Sequence, residues 1–235
     1  DHEGSLLQDN AIPSDLYYAG LDDSWDIDND GIYGEDATHS LADESDLFTE
    51  VYVGRAPVEN KAEIGTFINK VITFETMDKP QKVLLHQSGI NTNNDPDSTV
   101  IPEHCAKWIP SNYEIDRLYQ RNESISSSEY MNRFSDNNLI VQHTGNGEYD
   151  QYYVSWPTQV FTSYQSVSML KNNFYPIHTS VACNSGGFDH QDSIAETILL
   201  NPYGGASACL FNSRRGFTSL EDAHKYSGEI IEEIF

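Results

Sequence analysis

Two rhythms of apolar positions alternate along most of this chain. Phe48-Thr49-Glu50-Val51-Tyr52-Val53 has the every-second-residue pattern of a strand, and Gly54-Arg55-Ala56-Pro57 ends it, because glycine and proline stop a ladder. A helix is predicted next. Asn60 with Glu63 makes an N-terminal cap, Ile64, Phe67, Ile68, Val71 and Ile72 recur at three- and four-residue spacing, and Pro80 closes the segment. Lys82–His86, Leu139–His143, Pro176–Cys183 and Ala206–Phe211 read as strands. Ser127–Phe134, Ser163–Leu170, Ser193–Leu200 and the amphipathic Leu220–Ile234 read as helices. Strands separated by helices predict βαβ units, hence an α/β fold with a mostly parallel sheet and helices on both faces. The polar run Asn91–Asp97 is a long loop of the kind that is often functional. Residues 1–47, rich in Asp, Gly, Ser and Tyr, show no sustained period and read as loop with turns.

Composition narrows the function classes. The chain has 235 residues, with 37 acidic and 13 basic side chains and a formal charge of −24. At 38% hydrophobic and 11% aromatic residues it has the means to build a core, so the charge does not signal disorder. Without a Lys/Arg cluster there is no face for a phosphate backbone, which argues against nucleic acid as a partner. The apolar runs are far too short for a membrane span. Cys105, Cys183 and Cys209 are odd in number and lack C-x-x-C spacing, so neither a zinc site nor a disulfide framework is indicated. The chain opens on Asp1-His2-Glu3-Gly4 without an initiating Met, which reads as mature material or a fragment beginning inside a domain.

In a parallel sheet, ligands bind at the carboxyl ends of the strands. Two such ends carry unusual residues, His143-Thr144-Gly145-Asn146-Gly147 and Ser180-Val181-Ala182-Cys183-Asn184-Ser185-Gly186-Gly187. A cysteine at the last position of a buried strand, followed by a glycine-containing turn, can expose its sulfur where backbone N–H groups converge, which suits acyl transfer by a thiolate. A lone cysteine, however, is more often a small buried apolar group.

The two segments gain weight together. With Pro13-Ser14-Asp15-Leu16-Tyr17-Tyr18-Ala19, Trp25 and its acidic run, Val53-Gly54-Arg55-Ala56-Pro57-Val58, Gly187-Phe188-Asp189 and Gly204-Gly205-Ala206, the sequence resembles the gingipain family of cysteine peptidases, within the caspase-like clan. The resemblance implies a caspase-like α/β/α sandwich over a single domain, 1–235, with Cys183 as nucleophile and the N–H groups of Gly147 and Cys183 as oxyanion donors. It also implies that Asn146 stands where the family has its catalytic histidine. A carboxamide takes no proton at neutral pH, so Cys183 would lack its general base. An introduced change, a natural pseudoenzyme, and a substitute base, His143 or His178, are the three explanations. The loop after Leu85-His86 offers Gln87 and Ser88 where some members have an orienting carboxylate. Peptidases of this type often select a basic residue before the scissile bond, for which Asp95, Asp97 and Asp189 are candidate pocket acids, with Asp192 nearby.

Asp26, Asp28 and Asp30, the Ile32 carbonyl and Glu35 place oxygens at near-alternate positions around Gly31 and predict a structural Ca2+ site that ties down residues 13–50. It is not an EF-hand, since Ala37 holds the twelfth position. Calcium of this affinity class fits a secreted or cell-surface protein, and the sequon Asn122-Glu123-Ser124 agrees with that setting. Clan relatives are often zymogens. The expected activity is therefore hydrolysis of protein or peptide substrates through a Cys183 acyl-enzyme, silenced here by Asn146. Two other readings are a non-catalytic calcium-stabilised surface protein and an acyl hydrolase pairing Cys183 with His143.

Overall fold

A computed structural model describes residues 12–22, 24–35, 43, 48–89, 99–120, 124–190 and 192–216. The chain divides into two compact units, residues 1–56 and 57–235. In chain order the elements are α1 (Leu16–Ala19), α2 (Lys61–Thr76), β1 (Lys82–Gln87), α3 (Val100–Ala106), β2 (Glu114–Tyr119), α4 (Ser127–Phe134), β3 (Ile140–Thr144), β4 (Gly147–Glu148), β5 (Gln151–Ser155), β6 (Gln159–Thr162), α5 (Ser163–Met169), β7 (Ile177–Ser180), α6 (Ile194–Leu200) and β8 (Ala208–Phe211). The predicted helix 220–234 lies outside the described residues.

The first unit carries α1 and the acidic loop. The strand predicted over 48–53 does not form: Glu50 and Val51 donate to the Ala19 carbonyl, and Phe48 and Tyr52 are exposed. Alternation alone does not make a strand when successive N–H groups turn to one carbonyl instead of a ladder.

In the second unit a five-stranded sheet has the order β2-β1-β3-β7-β8, parallel throughout. A smaller antiparallel sheet, β4-β5-β6, follows β3. Helices cover both faces. Val83 and Leu85 pack with Ile101 and Cys105 of α3 on one face, while Leu84 and Val141 pack with Tyr130 and Phe134 of α4 and Ile194 and Ile198 of α6 on the other. The helices start where side chains satisfy their first N–H groups: Asn60 accepts from Ala62 and Glu63, Ser126 from Glu129, and Thr162 and Ser193 form reciprocal capping boxes with Gln165 and Glu196. The parallel sheet with helices on both faces is the α/β arrangement that the strand–helix alternation predicts.

Three sequence expectations change. The ladder of β7 ends at Ser180, so Cys183 sits in the following turn rather than at the last strand position. Helix α2 buries Lys70 and leaves Ile64, Ile68 and Ile72 about half exposed, because the face turned inward is centred on Phe67, Lys70, Val71 and Phe74. Strand β2 went unpredicted because an edge strand keeps charged residues, here satisfied by Arg117 with Glu103 and Asp116 with Arg133.

Buried Lys70 carries weight of its own. Its ammonium donates to the carbonyls of Ile198 (2.9 Å) and Leu199 (2.7 Å), which α6 leaves without intrahelical partners. Burial pushes Lys70 down to about 7, an effect that nearby Cys209 partly offsets. Lys70→Met should cost about 2 kcal/mol, since it strands the Leu199 carbonyl and leaves the Ile198 carbonyl only its longer bond from Ala206 N–H at 3.3 Å. Urea unfolding checks this, and a loss below about 1 kcal/mol would show that Lys70 only fills space.

No described helix is long and apolar enough to cross a membrane.

Candidate active site

Strands β3 and β7 are parallel neighbours, with His143 opposite Ser180, so the chain leaves both at the same rim of the sheet. Beyond β3 comes Gly145-Asn146-Gly147. Position 147 admits only glycine: a Cβ there would lie 2.7 Å from Ala182 Cβ and 3.2 Å from the Cys183 carbonyl oxygen. That close approach brings the residue after Asn146 against the backbone that carries Cys183. Asn146 and Cys183 are both half-buried, with Asn146 anchored by its carbonyl, which accepts from Tyr153 N–H at 2.9 Å.

The turn after Cys183 is fixed by many partners. Ala182 N–H donates to Ser180 Oγ (3.1 Å), and Ser185 Oγ donates to the Ala182 carbonyl (3.0 Å). Asn184 takes a left-handed conformation, φ 57°, which asparagine tolerates better than most residues. Its N–H donates to the Arg214 carbonyl (2.7 Å), and Gly186 N–H to that of Asn212 (3.0 Å). Asn212 Nδ2 reaches back to the Val181 carbonyl at 2.9 Å. The segment after β8 therefore straps the Cys183 turn. Nothing in local periodicity points to Ser185, Asn212 or Arg214, because their role depends on a contact about thirty residues away in sequence.

Beneath the rim lies a buried network of His86, His143, His178, Tyr130 and Tyr152, all without solvent exposure. The carbonyl contacts fix its protons. His178 Nδ1 must donate to the Val141 carbonyl (2.8 Å), so its Nε2 accepts from Tyr152 OH (3.0 Å), which in turn accepts from Tyr130 OH (2.9 Å). His143 Nε2 donates to the Tyr153 carbonyl (2.8 Å), and its Nδ1 accepts from Ser180 Oγ (2.8 Å). His86 donates through Nε2 to the Val154 carbonyl (3.0 Å) and stacks on His143, with centroids 5.1 Å apart. His143 and His178 thus have both nitrogens occupied and no route to solvent, so neither is placed to take a proton from Cys183. Burial also holds their proton affinities down: His178 to about 4, His86 to about 3, and His143 well below the usual imidazole range.

The predicted pocket acids fare differently. Asp95 and Asp97 lie outside the described residues. Asp189 is gripped by the Arg214 guanidinium through two bonds of 2.9 and 2.7 Å, which holds its carboxyl below the usual range. Gln87 and Ser88 are buried. Of the other thiols, Cys105 is buried, and burial pushes Cys209 up to about 12.

In the first unit the carboxylates of Asp26, Asp28 and Asp30 have oxygens within 4.8 Å of one another. The loop coils around them: Asp30 and Gly31 N–H donate to Asp26, Asp30 N–H also to Asp28, and Ile32 N–H to Asp30 at 2.7 Å. Asp43, not singled out in the sequence, ties the loop's ends by accepting from the N–H groups of Ile27 and Glu35, each at 2.8 Å, and those bonds lower its carboxyl affinity for protons. Glu35, also predicted as a ligand, does not join that carboxylate cluster.

Three solved structures share this fold. One, titled as the Arg specific cysteine proteinase gingipain R, is 17% identical with a TM-score of 0.59, covering 80% of this chain and 46% of its own. A complex of Porphyromonas gingivalis RgpB pro- and mature domains is 18% identical, with a TM-score of 0.57 and coverage of 73% and 42%. A third, titled as a protease, is 17% identical with a TM-score of 0.55 and coverage of 66% and 35%. The chain thus spans less than half the length of each. No curated protein matches it in sequence. The profile of peptidase family C25 matches residues 3–235, and with the caspase-like sheet and the two rim segments it places the chain in that family, the family of the gingipains.

Proposed function

We propose that this chain is the core of a cysteine endopeptidase in which Cys183 attacks the peptide carbonyl and Asn146, at the position of the general base, leaves the thiol without a proton acceptor. The reading is carried by the apposition at Gly147, whose backbone has no room for a Cβ against Ala182 and Cys183, so that the residue at 146 and the nucleophile share one rim. The first half-reaction joins Cys183 sulfur to the acyl carbon, expels the amine with the thiol's proton, and leaves a thioester that water cleaves. With Asp189 already neutralised by Arg214, selection of a basic side chain falls to Asp95 and Asp97 and to the long-range field of a chain of charge −24. Asn146→His tests the reading: it should gain hydrolysis of short peptides, and Cys183→Ala should abolish the gain.

Calcium belongs to the same reading. Three clustered carboxylates wrapped by their own loop's N–H groups offer the hard oxygen donors that Ca2+ prefers, and the spacing along the sequence adds the Ile32 carbonyl and Glu35 as candidate ligands. The ion would serve structure only, relieving repulsion among Asp26, Asp28 and Asp30. Such an ion fits secretion or cell-surface display, and the complex of RgpB pro- and mature domains makes synthesis as a zymogen the matching route. Millimolar Ca2+ should raise stability by about 1–2 kcal/mol over EDTA, as mass action gives for a site of extracellular affinity. A melting curve unchanged between EDTA and Ca2+ would remove the ion from the proposal.

A further inference from the structure

The Cys183 N–H donates to no group among the described residues. It belongs to the same planar peptide unit as the Ala182 carbonyl, in which C=O and N–H point in opposite directions. That carbonyl is held at its oxygen end by Ser185 Oγ at 3.0 Å and, more loosely, by Asn212 Nδ2 at 3.5 Å, while Asn212 also holds the carbonyl one residue earlier at 2.9 Å. Ser185 and Ala182 are fully buried, so water does not compete for these bonds. Pinning the oxygen inward turns the free N–H outward to the rim. Hydrogen bonds to a carbonyl also polarise its amide and strengthen the N–H as a donor.

We infer that Ser185 and Asn212 are positioning residues for the oxyanion site, setting the direction of the Cys183 N–H through the Ala182–Cys183 peptide plane. The inference rests on the peptidase reading and adds to it the two side chains that prepare the donor. A direct oxyanion donor is typically worth 10²–10³-fold in turnover, so residues acting through it should each be worth roughly tenfold.

The test separates reactions that build an oxyanion from one that does not. A peptide aldehyde adds to Cys183 so that a C–S bond forms, the carbonyl π bond breaks, and the thiol proton moves to oxygen, giving a hemithioacetal whose oxygen lies where the N–H points. Iodoacetamide alkylates the same sulfur with loss of iodide and forms no such oxygen. Both are measured on the unsubstituted chain, Ser185→Ala and Asn212→Ala, with Cys105 as an internal reference for intact packing. The expected result is about tenfold weaker aldehyde binding in each variant, with alkylation of Cys183 changed by less than twofold. In an Asn146→His background the same variants should lower kcat and leave KM nearly constant. If the parent binds aldehyde and Ser185→Ala and Asn212→Ala bind it equally well, the positioning role is wrong and the peptidase reading stands. Equal losses in aldehyde binding and alkylation would make both residues merely structural and overturn the inference too. If the parent alkylates but neither binds aldehyde nor cleaves peptides as Asn146→His, the peptidase reading itself falls and takes this inference with it.

Discussion

Asn146→His should raise peptide hydrolysis by 10²–10⁴-fold over the unsubstituted chain, the span that a positioned acid–base group contributes. The direction follows from what stands at the rim. Cys183 is half-buried, its neighbour across the Gly147 contact is a carboxamide without a basic lone pair, and His143, three residues before Asn146, is sealed between Tyr153 and Ser180. Neither buried imidazole beneath the rim, His143 or His178, can take the thiol proton, so the unsubstituted chain should stay close to background. The gained activity should rise with pH through the titration of the new histidine, near 6.5 if its surroundings do not shift it. Arg- and Lys-bearing substrates should be favoured, and that preference should shrink with added salt if it comes from long-range attraction rather than a carboxylate in contact. A folded Asn146→His chain whose Cys183 alkylates normally but which cleaves no peptide would refute the mechanism. Cleavage by the unsubstituted chain that vanishes in Cys183→Ala would show instead that some group other than residue 146 serves as base.

How much of this was legible in the sequence depends on whether a feature is local. Strands β1, β3 and β7 and helices α4, α5 and α6 announce themselves through period and caps, because apolar spacing and the first N–H groups are short-range matters. The α2 face was drawn too wide because Lys70 counts as polar in any pattern, yet it is buried by two carbonyls that α6 supplies. Strand parity could have settled His143: on β3 it shares a face with Val141, and Val141 packs into the core, so an inward ring was available from counting by twos. Its closeness to Asn146 in sequence suggested a catalytic role, and distance along a chain says little about which way a side chain points. Cys183 stood out through its thiol and the family resemblance together, but its place beyond the last rung of β7 depends on where the ladder stops pairing after Ser180. The strap from Asn212 to Arg214 could not be read at all, since it exists only once β8 has paired with β7 and carried residues 212–214 to the turn.

Acid should unfold the second unit at a pH well above carboxylate titration. His86, His143 and His178 are fully buried and donate to backbone carbonyls, so an added proton would bury a charge with no opposite charge beside it and, at His86, with no acceptor for the second N–H. Their folded-state affinities lie below the free value of about 6.5, so it is the unfolded chain that gains protons as pH falls. The contribution of the three rings is then complete above about pH 7 and is lost downward through 6.5 toward 4. At pH 5 each ring costs about 2 kcal/mol and the three together about 6 kcal/mol, comparable to the whole stability of many domains. The ion pair of Asp189 with Arg214 acts in a lower window, since a carboxylate held below its ordinary value is lost only as pH drops under about 4. Relief of the −24 self-repulsion works in the opposite sense, so a urea midpoint that holds steady or climbs between pH 7.5 and 5.5 would mean the buried rings are not the controlling groups. The expected fall corresponds to uptake of about three protons on unfolding, and His86→Gln, whose amide can still donate to the Val154 carbonyl, should reduce that to about two. Any acid-stable form of this fold would therefore have to replace the histidines with neutral donors before it altered a single surface charge.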